Sequence, residues 1–275
     1  MIRIALALLA VLAMPAQAQE RRPSHCIALA QSAPGLEYVQ LAAYGAPLER
    51  NTVRLSYIDH SMFLLETAGG LTAVTDFTGF IGNLDLIPDV VTMNNAHDTH
   101  WTAFPDPAIP HVLEGWARDG QPADHYVDLG EMLVRNVPTD TRGRFGDGVR
   151  KAGNSVFVFE VAGLCIGHLG HLHHEPDPGQ YAALGRLDVV MAPVDGGLTL
   201  DLPTMIRVLQ RLRSSVVIPM HWFSEYSLQR FLDGMANDFA VLRPGDSALE
   251  VSLRGLPPRP TVVVLEPAFL RVSED

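Results

Sequence analysis

The sequence predicts an α/β fold in which β-sheets are sandwiched between helices. The first half of the chain consists mainly of short strand-like runs, and the second half alternates such runs with a segment of helical periodicity. A series of strands followed by strand-helix-strand units is typical of sheets packed against helices rather than of an all-β barrel. The 275 residues show no internal repeat and suit one large domain with a buried core.

The first 18 residues are predicted to be a signal peptide. Arg3 supplies a positive charge, residues 4–14 are uninterruptedly apolar, and Ala16-Gln17-Ala18 has the small-x-small pattern of a cleavage site. The apolar run is too short to span a bilayer, and Pro15 follows it. We therefore expect cleavage after Ala18 and export, to the periplasm in a Gram-negative cell. The mature chain should have no membrane span.

Residues 19–50 are predicted to form an N-terminal arm, and residues 51–275 the domain. Four strands are predicted in the first half of that domain, with Gly69-Gly70 as a hairpin turn. Residues 105–122 are rich in Pro, Gly and Asp and are predicted to be a surface loop, in which His111 and Trp116 either wall a pocket or simply pack. The four strands cover residues 53–58, 62–67, 71–76 and 90–93.

Strand signals resume after this loop and are interrupted by two predicted helices. The first helix, over residues 201–213, places Leu202, Met205, Ile206, Leu209 and Leu212 at helical spacing, and the second covers residues 227–235. The predicted strands of this half cover residues 132–137, 155–161, 164–167, 189–192, 216–219, 248–253 and 261–265.

The charge of the chain and its two cysteines constrain its partners and its compartment. The formal net charge of -11 argues against nucleic acid or an anionic membrane as the main partner and leaves a small-molecule substrate. In an oxidising compartment Cys26 and Cys165 can pair and tie the arm to the core. The alternative is a buried apolar Cys165 and a free Cys26 thiol.

Seven of the eleven histidines lie in three short patches, each of which follows a strand-like apolar run. The patches are Asn95 to His100, His168 to His174, and Pro219 to Trp222. Imidazoles delivered from several strand ends are a common way to build a transition-metal site. The pattern therefore predicts a metal-dependent enzyme.

With these motifs the sequence resembles the metallo-β-lactamase fold superfamily, and within it the branch of L-ascorbate-6-phosphate lactonase-like hydrolases. The segment from Tyr57 to Leu64 is similar to that branch's G-H-S-S-F-L motif, and Thr75-Asp76-Phe77 to its T-D-P/F motif. The resemblance implies a four-layer αββα sandwich with a metal site along one edge of the two sheets. It also implies that Asp76 supports the metals and that a metal-activated water is the nucleophile. Further matches are at residues 153–157, 167–171, 192–197 and 219–222.

The chain departs from this family at the metal-binding residues. The signature H-x-H-x-D-H aligns with residues 95–100, so that Asn95 replaces the first histidine and Thr99 the aspartate. His171 stands where the family's H-x-G-D motif has its bridging aspartate. Fewer carboxylates should weaken the binding of two mutually repelling divalent ions, which favours a single metal.

Zinc is the predicted ion because imidazole suits it, although the residue types also suit copper, nickel and iron. His173 and His174 are expected to be peripheral, because one centre rarely takes more than four protein ligands. The predicted ligands are His97, His100, His171 and His221, with His168 as a substitute or supporting partner.

Asp98 and Asp195 are the candidates for a general base, with a turn or cap role as the alternative for each. His60 is a candidate to bind substrate or donate a proton. Asn95 is a candidate to position a water, and Arg142 and Arg144 to clamp an anionic group.

The sequence supports an exported metal-dependent hydrolase of an ester, lactone, amide or phosphoester bond. The missing carboxylates favour an alternative, a catalytically silent metal- or ligand-binding protein on the same fold. A metal-free interaction module leaves the clustering of histidines without a cause.

Overall fold

Two mixed β-sheets pack face to face. The structure is a computed structural model that describes residues 21–28, 45–143 and 148–271. The predicted signal peptide and Arg144 lie outside these residues. One sheet has six strands, which lie in the spatial order Ala248–Ser252, Thr52–Asp59, Met62–Thr67, Thr72–Val74, Val90–Met93 and His111–Glu114. The other sheet has eight strands, which lie in the spatial order Ala240–Leu242, Thr261–Val263, Val216–Met220, Val189–Pro193, Leu164–His168, Val149–Val161, Met132–Arg142 and Tyr126–Asp128. A two-stranded ribbon pairs Leu270–Arg271 with Gly82–Asn83.

The strands and helices follow each other in a strand-rich first half and a mixed second half. They are α1 (His25–Ala28), β1 (Thr52–Asp59), β2 (Met62–Thr67), β3 (Thr72–Val74), β4 (Gly82–Asn83), β5 (Val90–Met93), β6 (His111–Glu114), β7 (Tyr126–Asp128), β8 (Met132–Arg142), β9 (Val149–Val161), β10 (Leu164–His168), α2 (Pro178–Leu184), β11 (Val189–Pro193), α3 (Leu202–Leu212), β12 (Val216–Met220), α4 (Glu225–Met235), β13 (Ala240–Leu242), β14 (Ala248–Ser252), a 3₁₀ turn (Leu253–Gly255), β15 (Thr261–Val263) and β16 (Leu270–Arg271).

The main core lies between the two sheets and joins residues such as Leu55 and Phe63 of the six-stranded sheet to Phe159 and Ile218 of the eight-stranded sheet. A second core lies on the outer face of the eight-stranded sheet, where α2, α3 and α4 pack. Within the described residues, the outer face of the six-stranded sheet is covered by loop residues such as Leu86 and Trp101 rather than by helices. The predicted α/β sandwich is therefore confirmed, with its helices concentrated on one side.

Helix α3 begins and ends where its sequence signals predict. Asp201 accepts a hydrogen bond from the backbone N–H of Thr204 and so caps the N-terminus. The helix ends at Arg213, whose φ of 55° is left-handed. Its apolar face, with Met205 and Leu209 fully buried, packs on the eight-stranded sheet. That packing fixes the ends of β11 and β12, which α3 connects.

Two expectations from the sequence were wrong in detail. The loop predicted over residues 105–122 contains strand β6, which pairs in parallel with β5 from Val90 to Met93. Helix α2 was missed, although Asp177 and Gln180 form a reciprocal capping box at its start. Tertiary pairing outweighed the loop-like composition at β6.

A disulfide joins Cys26 to Cys165, with their Cα atoms 5.8 Å apart. It ties α1 to strand β10. The bond settles the two alternatives left open for these cysteines in favour of pairing. Within the described residues, no helix is long and apolar enough to cross a membrane.

Candidate metal centre

The histidine patches converge at one edge of the sandwich. Strands β10, β11 and β12 run parallel, so their carboxyl ends lie at the same edge, where α/β proteins commonly place functional groups. His171, Asp195 and His221 follow these three strands. Strand β5 of the other sheet leads to His97 and His100, and the turn between β1 and β2 carries His60. Two sheets and five connections thus meet at this centre.

The imidazoles form two overlapping groups that share His100. We name the inner triad His60, His100 and His221, and the outer triad His97, His100 and His171. Within each triad one potential ligand atom per residue lies within 4.8 Å of the others. The ring centroids of His60 and His221 are 4.0 Å apart, and those of His100 and His171 are 4.7 Å apart. Of the predicted ligands, the structure brings together His97, His100, His171 and His221.

Two histidines of the inner triad are backed by buried carboxylates. Asp76 Oδ2 lies 2.6 Å from His100 Nδ1, and both side chains are fully buried. Asp195 Oδ2 lies 3.0 Å from His221 Nδ1. A carboxylate behind one ring nitrogen leaves the other nitrogen of the ring for a metal.

Backbone strain accompanies the inner triad. His60, Asp76 and His221 all have positive φ, of 47°, 43° and 57°, a conformation that non-glycine residues rarely adopt. The carbonyl of His60 accepts hydrogen bonds from the Tyr57 hydroxyl at 2.6 Å and from the His221 N–H at 2.9 Å. These bonds hold the two strained residues against each other, and such strain clusters at functional sites.

The two histidines that belong only to the outer triad, His97 and His171, are backed by neutral groups. His97 is exposed, and its Nδ1 lies 3.2 Å from the Thr99 hydroxyl, the residue that replaces the family's aspartate. His171 Nδ1 lies 2.6 Å from Nε2 of His173, whose own Nδ1 accepts a hydrogen bond from the Arg142 backbone N–H at 2.8 Å. The outer triad thus has no carboxylate among these partners.

Burial favours the neutral form of three histidines of the centre. It lowers the pKa of His60 to about 3, and the neighbouring His221, His100 and His97 lower it as well. Burial, with His100 and His173, holds the pKa of His171 far below its usual range. The pKa of His100 is lowered in the same way. His60, His100 and His171 are therefore uncharged, which is the form of imidazole that binds metals.

The pKa values of the two carboxylates, Asp76 and Asp195, are shifted in opposite directions. Burial raises the pKa of Asp76 to about 7, against the lowering effects of His168 and the Asn94 N–H. Burial also acts to raise the pKa of Asp195, but hydrogen bonds from His221, Thr199 and Gly197 hold it well below its usual range. A buried carboxylate with a raised pKa lacks a compensating positive charge.

Several predicted site residues lie outside the two triads. His168 is buried, and its Nε2 contacts the backbone carbonyl of Ser61 at 2.7 Å. Asp98 is exposed on the loop after β5. Asn95 donates its amide N–H to the carbonyl of Gly153 at 2.9 Å and so links the loop to β9. One guanidinium nitrogen of Arg142, Nη2, donates to the carbonyls of residues 197–199.

Asp195 has both carboxylate oxygens engaged. Oδ1 accepts from the backbone N–H groups of Gly197, Leu198 and Thr199, and Oδ2 contacts the Thr199 hydroxyl and His221. These contacts suit a residue that holds His221 in place. They leave no free lone pair directed at a substrate water.

The geometry adds two residues that sequence reasoning had left aside. His173 was expected to be peripheral but supports His171 directly, and Tyr57 anchors His60. The available signal for His173 was only its spacing of two from His171. The exposed ring of Phe223 lies beside the inner triad, tilted against His60 and edge-on to His221, with ring centroids 5.5 Å and 5.1 Å away. Leu198, also exposed, lies on the loop that carries Asp195.

The inner triad fits a transition metal. The Nε2 atoms of His60 and His100 are buried without a hydrogen-bond partner among the described residues, and such atoms need a partner. Three imidazoles and a nearby buried carboxylate that lacks a cation match the donor set of zinc. The residues present therefore suit the ion that the sequence predicts.

Comparisons with known proteins agree with this fold. A family model described as a beta-lactamase superfamily domain matches residues 54–221. A UPF0173 metal-dependent hydrolase from Methanoculleus marisnigri is 24% identical over 216 residues, which cover 71% of this chain and 96% of that protein. Another from Carboxydothermus hydrogenoformans is 27% identical over 97 residues, and the match spans 34% of this chain and 43% of that relative.

A solved structure extends the comparison to three dimensions. A protein of the metallo-beta-lactamase superfamily from Thermotoga maritima, named as a candidate Zn-dependent hydrolase, superposes with a TM-score of 0.56 at 27% identity. The superposition covers 78% of this chain and 99% of that structure. The fold is therefore shared over most of both chains.

Proposed function

The chain belongs to the beta-lactamase superfamily, and from that premise we propose that it is a metal-dependent hydrolase of a small molecule. The observation that carries the proposal is the inner triad, in which two of the three imidazoles are backed by carboxylates. This arrangement is costly to build, because it buries two acids and strains three backbone positions.

His60, His100 and His221 would hold one ion, for which we propose zinc. Three histidines leave a fourth position open, as in catalytic rather than structural zinc sites. Asp76 and Asp195 would orient two of the ligands and balance the charge of one divalent ion. A second ion at the outer triad would have no carboxylate of its own to offset repulsion, because the only one nearby among the described residues is Asp76 behind the shared His100. When bound, zinc polarises a scissile group and lowers the pKa of a bound water.

The protein's own groups would bind and orient the substrate. His97 is exposed beside the centre and is placed to exchange a proton between the site and solvent. Phe223, which is exposed beside His60 and His221, would form an apolar rim that excludes water from one side of the substrate. Asp195 would act through His221 and not as the general base, because its oxygens are already engaged.

An ester, lactone or amide suits this site better than a phosphoester. Among the described residues, Arg142 is the cation tied to the centre through His173, and its guanidinium is committed to three backbone carbonyls. A phosphoryl group ordinarily requires a free arginine or lysine. The apolar rim favours an uncharged substrate instead.

A second candidate is a metal-binding protein without hydrolytic activity. It is favoured by Asn95 and Thr99, since the first is turned to Gly153 and the second pairs with His97. Neither then supplies a carboxylate to activate water. Metal binding without turnover of any substrate would be the result that favours this candidate.

We also propose that the protein works outside the cytosol. The Cys26–Cys165 disulfide and the predicted signal peptide support export, because disulfides persist in oxidising compartments. Fractionation of cells that express the full chain should find it in the periplasm. Recovery of reduced, uncleaved protein in the cytosol would contradict this.

The test uses the purified full chain, elemental analysis and a panel of ester, lactone, amide and phosphoester substrates. We expect one equivalent of zinc and hydrolysis of uncharged carbonyl substrates, both lost in His221→Ala. The matched control is His111→Gln, at the far end of β6 from the centre. Failure to bind zinc, with a normally folded protein, would overturn the proposal.

A further inference from the structure

The partners of His173 determine which of its nitrogens carries the proton. Its Nδ1 is 2.8 Å from the Arg142 backbone nitrogen, which can only donate. His173 Nδ1 must therefore be the acceptor. An imidazole whose Nδ1 accepts a hydrogen bond is uncharged, and its single proton lies on Nε2.

This proton in turn fixes His171. Nε2 of His173 is 2.6 Å from Nδ1 of His171, so His173 donates and His171 Nδ1 accepts. A neutral His171 must then carry its own proton on Nε2. A protonated nitrogen has no lone pair for a metal, so His171 in this state is a hydrogen-bond donor and not a ligand.

The alternative state of His171 has a specific cost. If Nε2 bound a metal, the proton of His171 would move to Nδ1 and face the Nε2 proton of His173 across 2.6 Å. Relief would require breaking the Arg142 contact or turning the His173 ring. His100 differs, since the oxygen of Asp76 behind it can accept a proton from Nδ1.

His171 is also held firmly by the backbone. Its own N–H donates to Asn154 Oδ1 at 2.8 Å, and the preceding Gly170 has a φ of 57°. A Cβ at Gly170 would lie 2.3 Å from the Asn94 side chain, so this glycine allows the close packing beneath His171. A donor that is fixed before substrate binds needs no reorganisation during reaction.

We propose that His171 is a catalytic hydrogen-bond donor that binds the carbonyl oxygen of the substrate, and that His173 is its positioning residue. The assignment rests on the proposed function and divides the centre in two. The inner triad holds the ion, and the outer side binds the substrate oxygen. Loss of one such donor typically reduces kcat by about 10²–10³.

The test is ¹⁵N NMR of histidine side chains in the full-length protein, before and after one equivalent of zinc, with His171→Gln and His173→Gln spectra for assignment. We expect His171 and His173 as Nε2–H tautomers in both states. Zinc should shift the resonances of His60, His100 and His221. Loss of the Nε2 proton of His171 on zinc binding would overturn the proposal.

Zinc affinity provides a second readout that does not depend on turnover. His171→Ala should change the Kd for zinc less than about 10-fold, which is no more than the loss of a supporting residue causes. His100→Ala should raise the Kd for zinc by more than the loss of a supporting residue does. A loss of zinc binding in His171→Ala equal to that in His100→Ala would contradict the donor role. If zinc binds but no substrate is hydrolysed, the proposed function fails. The ¹⁵N NMR measurement of the His171 and His173 tautomers still tests the donor role in that case.

Discussion

The inner and outer triads are built from the same side chain but differ in what stands behind it. Carboxylates back His100 and His221, whereas a hydroxyl backs His97 and a neutral imidazole backs His171. A carboxylate that accepts the proton of one ring nitrogen leaves a lone pair on the other nitrogen. His173 instead donates a proton to Nδ1 of His171, so the other nitrogen of His171 carries a proton. The partner behind each ring, more than the ring itself, thus decides which triad binds a cation.

The largest expected effect comes from removing the histidine that the two triads share. His100→Ala should weaken zinc binding more than about 100-fold, because loss of a direct ligand exceeds the 10–100-fold effect of a supporting residue. Competition with a chelator of known affinity measures this. His97→Ala is the comparison, and an equal loss in that variant would remove the distinction between the triads.

The supporting carboxylates should rank next. Asp76→Asn and Asp195→Asn should each weaken zinc binding by about 10–100-fold. The reason is that the imidazole each carboxylate contacts, of His100 or His221, loses its fixed tautomer. The same chelator assay applies, with circular dichroism to confirm folding. Unchanged affinity in both variants would show that the carboxylates do not prepare the inner triad.

The pH dependence of the free energy of unfolding should report the neutral state of His60 and His173. The pKa values of His60 and His173 in the folded protein, about 3 and about 4, lie below the unfolded value of about 6.5. The unfolded chain therefore binds more protons in this window, and metal-free stability should fall as the pH drops from about 6.5 toward 4.

Denaturant titrations at several pH values measure this trend, which should amount to roughly 1–3 kcal/mol. His173→Gln should flatten the curve, and His111→Gln should not. A metal-free protein whose stability is constant over this window would contradict the buried, neutral histidines.

The smallest effect should come from removing the Thr99 hydroxyl, which contacts His97 of the outer triad. Thr99→Val removes the hydroxyl behind the exposed His97 but preserves the shape of the side chain. We expect the Kd for zinc to change less than about threefold, because exposed neutral hydrogen bonds contribute about 1 kcal/mol or less. An effect as large as that of Asp76→Asn would place His97 among the ligands.

Much of this architecture could be predicted from the sequence, because strand runs and the helical face of α3 depend on local pattern. Predicted and observed strands coincide at Met62–Thr67 and Val90–Met93. Strand β6 was hidden because its composition is that of a loop and its partner β5 is remote in sequence. Export and the domain boundaries remain predictions.

The roles of the histidines were less accessible. Position at a strand end identified the patches, but the direction of each ring depends on contacts from other elements. His168 turns to Ser61 of the β1–β2 turn, and Asp195 turns back into its own loop. Spacing cannot encode such contacts, since each joins residues of different segments or depends on a local backbone turn.

The central claim is that one ion binds at the inner triad. A crystal structure of the zinc-loaded full chain, with anomalous diffraction measured at the zinc edge, tests it directly. We predict one anomalous peak within bonding distance of His60, His100 and His221, with His171 still paired to His173. A peak bound by His97 and His171, or two peaks of equal height, would contradict the account.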